Sequence, residues 1–205
     1  MKKILITDSL FIFKEHEKKL RAAGYDIERL DKSNASEDEL IHAIKDKEGY
    51  ILGGIERVTD RVIEAADKLR VISFTGTDHV AFIPGYKLAT KKGIHISTTP
   101  AANAYAVAEY TISIILSMTR DLFSLTRVGE KKFETTKSLK DLTVGIVGMG
   151  VIGKIVTNML NGLGVKKVIY YSPHKKEDIN AEYKTLKEVF IESDIISLHA
   201  STEAG

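Results

Sequence analysis

The sequence predicts an α/β protein with two parallel sheets, each covered by helices, the first over residues 1–100 and the second begun at residue 142. Three observations carry this expectation. Short β-rich runs alternate with helical patterns from Lys3 to Ser97, a long apolar stretch free of Gly and Pro follows Pro100, and the alternation restarts at Leu142 around a glycine-rich turn.

The first run, "KILIT" (3–7), reads as a strand. The chain opens with two lysines, but Asp8 interrupts the apolar residues too early for the core of a signal peptide. A helical pattern near 13–23 leads to "YDIERL" (25–30), and another near 36–46 leads to "GYILGG" (49–54). Helices near 59–67 and after Pro84 then alternate with "RVISF" (70–74) and "GIHIST" (93–98). Next comes "TTPAANAYAVAEYTISIILSMTRDLFSLTR" (98–127), in which Pro100 suits a first helical turn and nothing breaks the pattern before Gly129, so one long helix is expected over 101–128. Val107, Ile112, Ile114, Ile115, Leu116 and Met118 surround most of its cylinder, which implies burial on several sides and a place between two domains. The Lys-rich "GEKKFETTKSLKD" (129–141) reads as a surface linker. The second alternation is "LTVGIVGMG" (142–150), a helix near 151–163, "KKVIYYS" (166–172), a helix near 185–192 and "DIISLHA" (194–200), closed by the small polar turn "STEAG".

Composition removes several classes of function. At 205 residues and 43% hydrophobic the chain can bury an ordinary core. Thirty basic against twenty-eight acidic residues leave a formal charge of +2, which calls for neither nucleic acid nor an anionic membrane. The most apolar stretch, "TISIILSM" (111–118), is far short of a bilayer span. The absence of cysteine excludes disulfides, thiol catalysis and thiolate metal sites, and fits a cytoplasmic location. His16, His42, His95 and His174 show no spacing suited to a metal, so no metal site is expected.

The chemistry lies in "TVGIVGMGVIGKIVTNMLNGLG" (143–164), where Gly148-x-Gly150-x-x-Gly153 directly follows an apolar strand and opens a helix. The bare pattern is weak, and the strand-turn-helix context strengthens it. Gly148 allows the tight turn, Gly150 lets the backbone approach a pyrophosphate, and Gly153 lets the helix pack close to the strand, while the helix N-terminus presents free N–H groups to phosphate. Residues Gly148, Met149, Gly150, Val151, Ile152 and Gly153 are therefore the expected dinucleotide-binding turn of a Rossmann domain. "GMGVIGK" also matches most of a nucleotide triphosphate loop, but Ile155 stands where that motif needs a Ser or Thr for magnesium. An Asp or Glu normally holds the ribose 2′-hydroxyl about 20 residues on, at the end of the second strand. Here the strand ends "VIYYSPHKK" (168–176) with no acid before Glu177, and Ser172, His174, Lys175 and Lys176 can donate to a 2′-phosphate. NADP(H) is favoured over NAD(H) on this ground. The alternative is that the lysines form a solvated turn and either cofactor is accepted.

With these features in place the chain resembles the D-isomer-specific 2-hydroxyacid dehydrogenases. The matching stretches are "FTGTDHV" (74–80), "TPAANAYAVAEYTISIILSMTRD" (99–121), "LKDLTVGIVGMGVIGK" (139–154) and "SDIISLHAST" (193–202), in the family's order. The resemblance implies a flavodoxin-like substrate domain over 1–100, a hinge helix over 101–128 and the first part of an NAD(P)-binding Rossmann domain over 142–205. It implies hydride transfer between a nicotinamide and a small 2-keto or 2-hydroxy acid such as glyoxylate or hydroxypyruvate, and a homodimer formed through the hinge-helix region. Carried over residue by residue, Thr75 and Gly76 would offer loop N–H groups to a substrate carboxylate, and Asn103 would lie near the substrate. Gly76 can equally be a turn glycine and Asn103 a helix N-cap. The family's catalytic arginine, glutamate and histidine lie beyond the last matching stretch, so none is placed on this chain. His79 and His199 are read as structural histidines, because geometry and not residue type makes a general acid.

A complete dinucleotide domain has six strands in two halves. Residues 142–205 supply the first half and one strand more, so a C-terminally truncated dehydrogenase, inactive on its own, is expected. The other reading is a non-catalytic NAD(P)-binding protein that acts through a partner, like the family's co-repressor branch.

Overall fold

The computed structural model describes residues 1–7, 12–32, 34–128 and 136–200. It divides into two units, Met1–Pro100 and Ala101–Gly205.

In the first unit, β1 (Lys2–Thr7), α1 (Lys14–Ala22), β2 (Tyr25–Leu30), α2 (Glu37–Ala43), β3 (Gly49–Leu52), α3 (Asp60–Ala65), β4 (Val71–Phe74), α4 (His79–Phe82), α5 (Tyr86–Lys91) and β5 (His95–Ser97) follow one another. The strands are all parallel, in the order β2-β1-β3-β4-β5. This is the flavodoxin-like order: the chain leaves β1 to one side, then reverses to the other. β1 lies inside the sheet between β2 and β3, and Leu5, Ile6 and Thr7 are all fully buried, which only a strand covered on both faces achieves. Leu5, Tyr50, Leu52, Ile63, Ile72 and Ile83 share one cluster, and Ile4, Ile6 and Ile27 form the other with Leu20 of α1 packed against them. Each such aliphatic side chain contributes about 1.5–3 kcal/mol relative to exposure. Local signals agree with the packing at α2, where Ser36 Oγ accepts from Glu39 N–H and the Glu39 carboxylate accepts from Ser36 N–H.

The second unit holds α6 (Ala104–Thr119), α7 (Leu122–Val128), β6 (Thr143–Val147), α8 (Val151–Gly162), β7 (Lys167–Tyr171), β8 (Glu182–Tyr183), α9 (Leu186–Glu192) and β9 (Ile195–Leu198). Its sheet is also parallel, in the order β8-β7-β6-β9, so the reversal falls between β6 and β9.

Three expectations change here. The single helix over 101–128 is broken, because Asp121 takes a left-handed φ of +49° and its carboxylate accepts from Ser124 Oγ at 2.6 Å, which starts α7 as a new helix. Full burial is confined to one stripe of Ala104, Ala108 and Ile115, with Val107, Ile112, Ile114 and Leu116 half-buried around it, while Met118, expected inside, is 62% exposed. Finally, the linker does not run at the surface to its end. Its residues 129–135 lie outside the described residues, as does the turn at 201–205, but Leu139–Asp141 forms a 3₁₀ turn whose Leu139 is buried and accepts from Lys166 N–H at 3.1 Å.

Among the described residues of the first unit, two charged side chains are buried, with opposite outcomes. Lys47 is 4% exposed, and its ammonium is met by Asp46 at 2.7 Å and Glu28 at 3.0 Å. Glu56 is 1% exposed, and neither carboxylate oxygen has a hydrogen-bond partner among the described residues. An unpartnered buried carboxylate costs more than a neutral amide of the same shape. Glu56→Gln is therefore expected to raise the unfolding free energy in a denaturant titration at neutral pH by about 1–3 kcal/mol, and a less stable variant would show that the carboxylate is supported in the folded chain.

Candidate functional site

Open α/β sheets bind ligands at the carboxyl ends of the strands where the strand order reverses. In the second unit that point is the end of β6, and the glycine turn occupies it. Gly148 has φ of +98°, and its N–H donates to Tyr171 O at 2.9 Å, which ties the turn to β7. On the other side His199 N–H donates to Val147 O at 2.7 Å, so the end of β9 closes against the turn. A Cβ on Gly148 would lie 2.5 Å from the carbonyl carbon and oxygen of His199, and one on Gly153 would run into Gly148 O. Both positions are closed by backbone. Gly150 differs, since a Cβ there would meet nothing within 4 Å among the described residues.

Gly150 is also the N-cap of α8, and no side chain caps the helix. The first N–H groups of α8 therefore face the open side of the turn without a partner from the helix itself, which is the arrangement that receives an anion. Met149 anchors the turn from beneath, 2% exposed, with Thr157 Oγ1 3.7 Å from its sulfur. Val151 is 55% exposed, while Ile152 packs against the core. Among Gly148, Met149, Gly150, Val151, Ile152 and Gly153, packing thus falls to Gly148, Met149, Gly153 and the Ile152 side chain, while Gly150 and Val151 stay on the open side.

At the end of β7, Ser172 is 3% exposed, and its hydroxyl donates to His174 O at 2.5 Å. Its only hydrogen is committed to the turn, so it presents no donor to a ligand. His174, Lys175 and Lys176 are exposed. His199 is half-buried with Nε2 2.9 Å from Ser197 Oγ, and burial pushes its imidazole below the ordinary histidine value.

The expected substrate contacts are less uniform. In the first unit Thr75 N–H donates to Leu52 O at 3.1 Å, and Thr75 Oγ1 donates to the same oxygen at 3.2 Å. The N–H expected for a substrate carboxylate is thus already part of the ladder that extends β3 and β4. Gly76 makes no N–H bond among the described residues, although its carbonyl accepts from Thr99 N–H at 2.9 Å. A Cβ at Gly76 would fall 2.5 Å from the Phe74 ring, so the packing of that ring also favours glycine here. In the second unit Asn103 is exposed and occupies the N-cap position of α6, but its side chain makes no capping bond. The other noted histidine, His79, stands edge-on to the Tyr86 ring at 5.7 Å. Among the described residues no group of three or more His, Asp or Glu side chains is arranged to hold a metal ion.

Sequence reasoning missed the part played by the backbone of His199 and Ala200, which walls the glycine turn, and by Tyr170 and Tyr183, whose hydroxyls reach the turn after β7. Only strand register reveals them. Gly148→Ala and Gly153→Ala each set a Cβ against backbone and are expected to lower stability by at least about 2 kcal/mol, measured by denaturant unfolding, whereas Gly150→Ala is expected to leave the midpoint nearly unchanged.

Comparison with known proteins agrees with this geometry. Residues 112–204 match the model of the D-isomer specific 2-hydroxyacid dehydrogenase NAD binding domain. D-3-phosphoglycerate dehydrogenase of Homo sapiens is 33% identical over 210 residues, covering 97% of this chain and 38% of that protein. Glyoxylate reductase of Thermofilum pendens is 34% identical over 180 residues, covering 80% of this chain and 52% of that one. The chain therefore spans well under two thirds of the length of these relatives. Among solved structures, the TT0316 protein of Thermus thermophilus matches with a TM-score of 0.83 at 27% identity, over 97% of this chain and 64% of that one. With its glycine turn, its two parallel sheets and relatives that align along nearly its whole length, the chain belongs to the D-isomer-specific 2-hydroxyacid dehydrogenase family.

Proposed function

We propose that this chain carries the dinucleotide-binding turn and the substrate-side domain of an NAD(P)-dependent oxidoreductase, one that moves hydride between a nicotinamide and a small 2-keto or 2-hydroxy acid. The observation that carries this reading is the open position at Gly150: a turn closed on two sides by backbone leaves one face free, and an uncapped helix begins on that face. A dinucleotide pyrophosphate fits such a cradle, because its charge meets the helix N-terminus and its bulk needs the missing Cβ. Gly150, Val151 and Ile152 would hold it through their N–H groups, with Met149, Gly148 and Gly153 fixing the turn. The bound nicotinamide supplies the carbon that gives or takes hydride.

In the first unit the Gly76 N–H is the group proposed to meet the substrate carboxylate, and Thr75 holds its loop to the end of β3; for Asn103, in the second unit, the proposal is only a place near the substrate. NADP(H) is the proposed preference, with NAD(H) also accepted, since His174 and Lys175 stand exposed where a carboxylate would repel a 2′-phosphate. Ser172 serves this by closing the turn that carries them. Tyr105, Tyr110, Met118 and Phe123, all more than half exposed along α6 and α7, are proposed as the surface that a second copy covers. No helix of the described residues is long and apolar enough to cross a membrane. A cytoplasmic location is proposed on the cysteine-free composition.

Titration of the chain with NADPH and NADH, followed by nicotinamide fluorescence, tests the reading. Gly150→Val is expected to weaken binding at least about tenfold, because its side chain fills the open face of the turn, while the melting temperature stays close to that of the parent. Equal affinity in the variant would remove the glycine turn from the site.

A further inference from the structure

The turn that follows β7 is held by three hydroxyl groups, each on an alternate carbonyl. Tyr183 Oη donates to Ser172 O at 3.3 Å, Ser172 Oγ to His174 O at 2.5 Å and Tyr170 Oη to Lys176 O at 3.1 Å. Tyr170 Oη also accepts from Lys176 N–H at 2.9 Å, so one phenol meets both backbone groups of a residue, as a neighbouring strand would. The braces are themselves fixed. Tyr170 is 1% exposed in the core, and Tyr183 is its register partner across β7 and β8, with the two rings edge-on at 5.4 Å.

Holding a surface turn in one conformation costs about 1–2 kcal/mol per residue in backbone entropy. A core phenylalanine at position 170 would bury as much apolar surface without touching the turn. What the hydroxyls gain is a fixed backbone from Ser172 to Lys176 with the side chains of His174, Lys175 and Lys176 left in solvent. This backbone starts where Tyr171 O receives Gly148 N–H, at the edge of the glycine turn. The first acids, Glu177 and Asp178, follow the Lys176 clamp in sequence.

We infer that Tyr170 and Tyr183 are positioning residues that preorganise this turn to receive the 2′-phosphate of an adenosine ribose, so that two phenols outside the ligand set the choice between the two dinucleotides. The inference rests on the dinucleotide reading above. A turn already ordered loses less entropy on binding, and the advantage falls only on the ligand that uses it. Cations held near a phosphate then add charge-assisted hydrogen bonds.

Calorimetric titration of the full chain with 2′,5′-ADP and with 5′-ADP separates the two claims, because the probes share the adenosine half and differ in the 2′-phosphate. The parent is expected to bind 2′,5′-ADP more tightly. Tyr170→Phe and Tyr183→Phe keep the rings and remove the hydroxyls, and each is expected to weaken 2′,5′-ADP about tenfold while 5′-ADP stays within about twofold. Tyr183→Phe, at the sheet edge, carries the test if Tyr170→Phe fails to fold. Unchanged 2′,5′-ADP affinity in the variants overturns the inference. Equal loss for both probes also overturns it, since the hydroxyls would then merely hold the fold. A parent that binds both probes equally removes the 2′-phosphate role and leaves the dinucleotide reading standing. A parent that binds neither removes both.

Discussion

Everything in the second unit depends on a close approach that only hydrogen atoms permit. At the end of β6 the backbone turns at Gly148, α8 begins beneath it with Gly153 against the Gly148 carbonyl, and the backbone of His199 and Ala200 passes on the other side. Val156 and Leu160 of α8 share a core cluster with Val144 and Ile146 of β6, and Ala108 and Ile115 of α6 join it. Small residues on α6 serve the same end as the glycines, since they let α6 and α8 meet at contact distance. The turn is thus a packing device first, and its open face exists because the other two faces are closed so tightly.

The first unit uses the same architectural rule with different local chemistry. Its reversal falls between β1 and β3. The loop after β4 is instead fastened by Thr75, whose N–H and hydroxyl both reach Leu52 O. Two bonds on one carbonyl make that loop an extension of the sheet, which leaves Gly76 as the first residue free of the ladder. Rigid attachment up to the residue that would meet a ligand is what a precise binding loop needs.

Much of this was legible in the sequence because it follows from period and spacing. The strands announce themselves as short aliphatic runs between helical patterns, and Gly148, Gly150 and Gly153 keep their meaning wherever a strand precedes and a helix follows. The break at Asp121 was not legible, because an aspartate in a left-handed conformation looks like any other aspartate within a helical pattern. The commitment of Thr75 N–H was hidden for another reason: its partner lies 23 residues away on a neighbouring strand. The hydroxyl braces combine both difficulties. Tyr170 reads as a core residue and Tyr183 as a loop residue, and only the pairing of β7 with a two-residue strand brings their oxygens to the same turn.

The three glycines of the turn are unequal in a way that outlasts any single experiment. Gly148 and Gly153 answer to the chain's own backbone, whereas a Cβ on Gly150 would meet nothing within 4 Å among the described residues. Over long divergence, selection for a folded chain protects the first two and is blind to the third. A descendant that has released its nucleotide would therefore keep Gly148 and Gly153 and let Gly150 drift, so the middle glycine is the position at which the history of the ligand, as distinct from the history of the fold, is written.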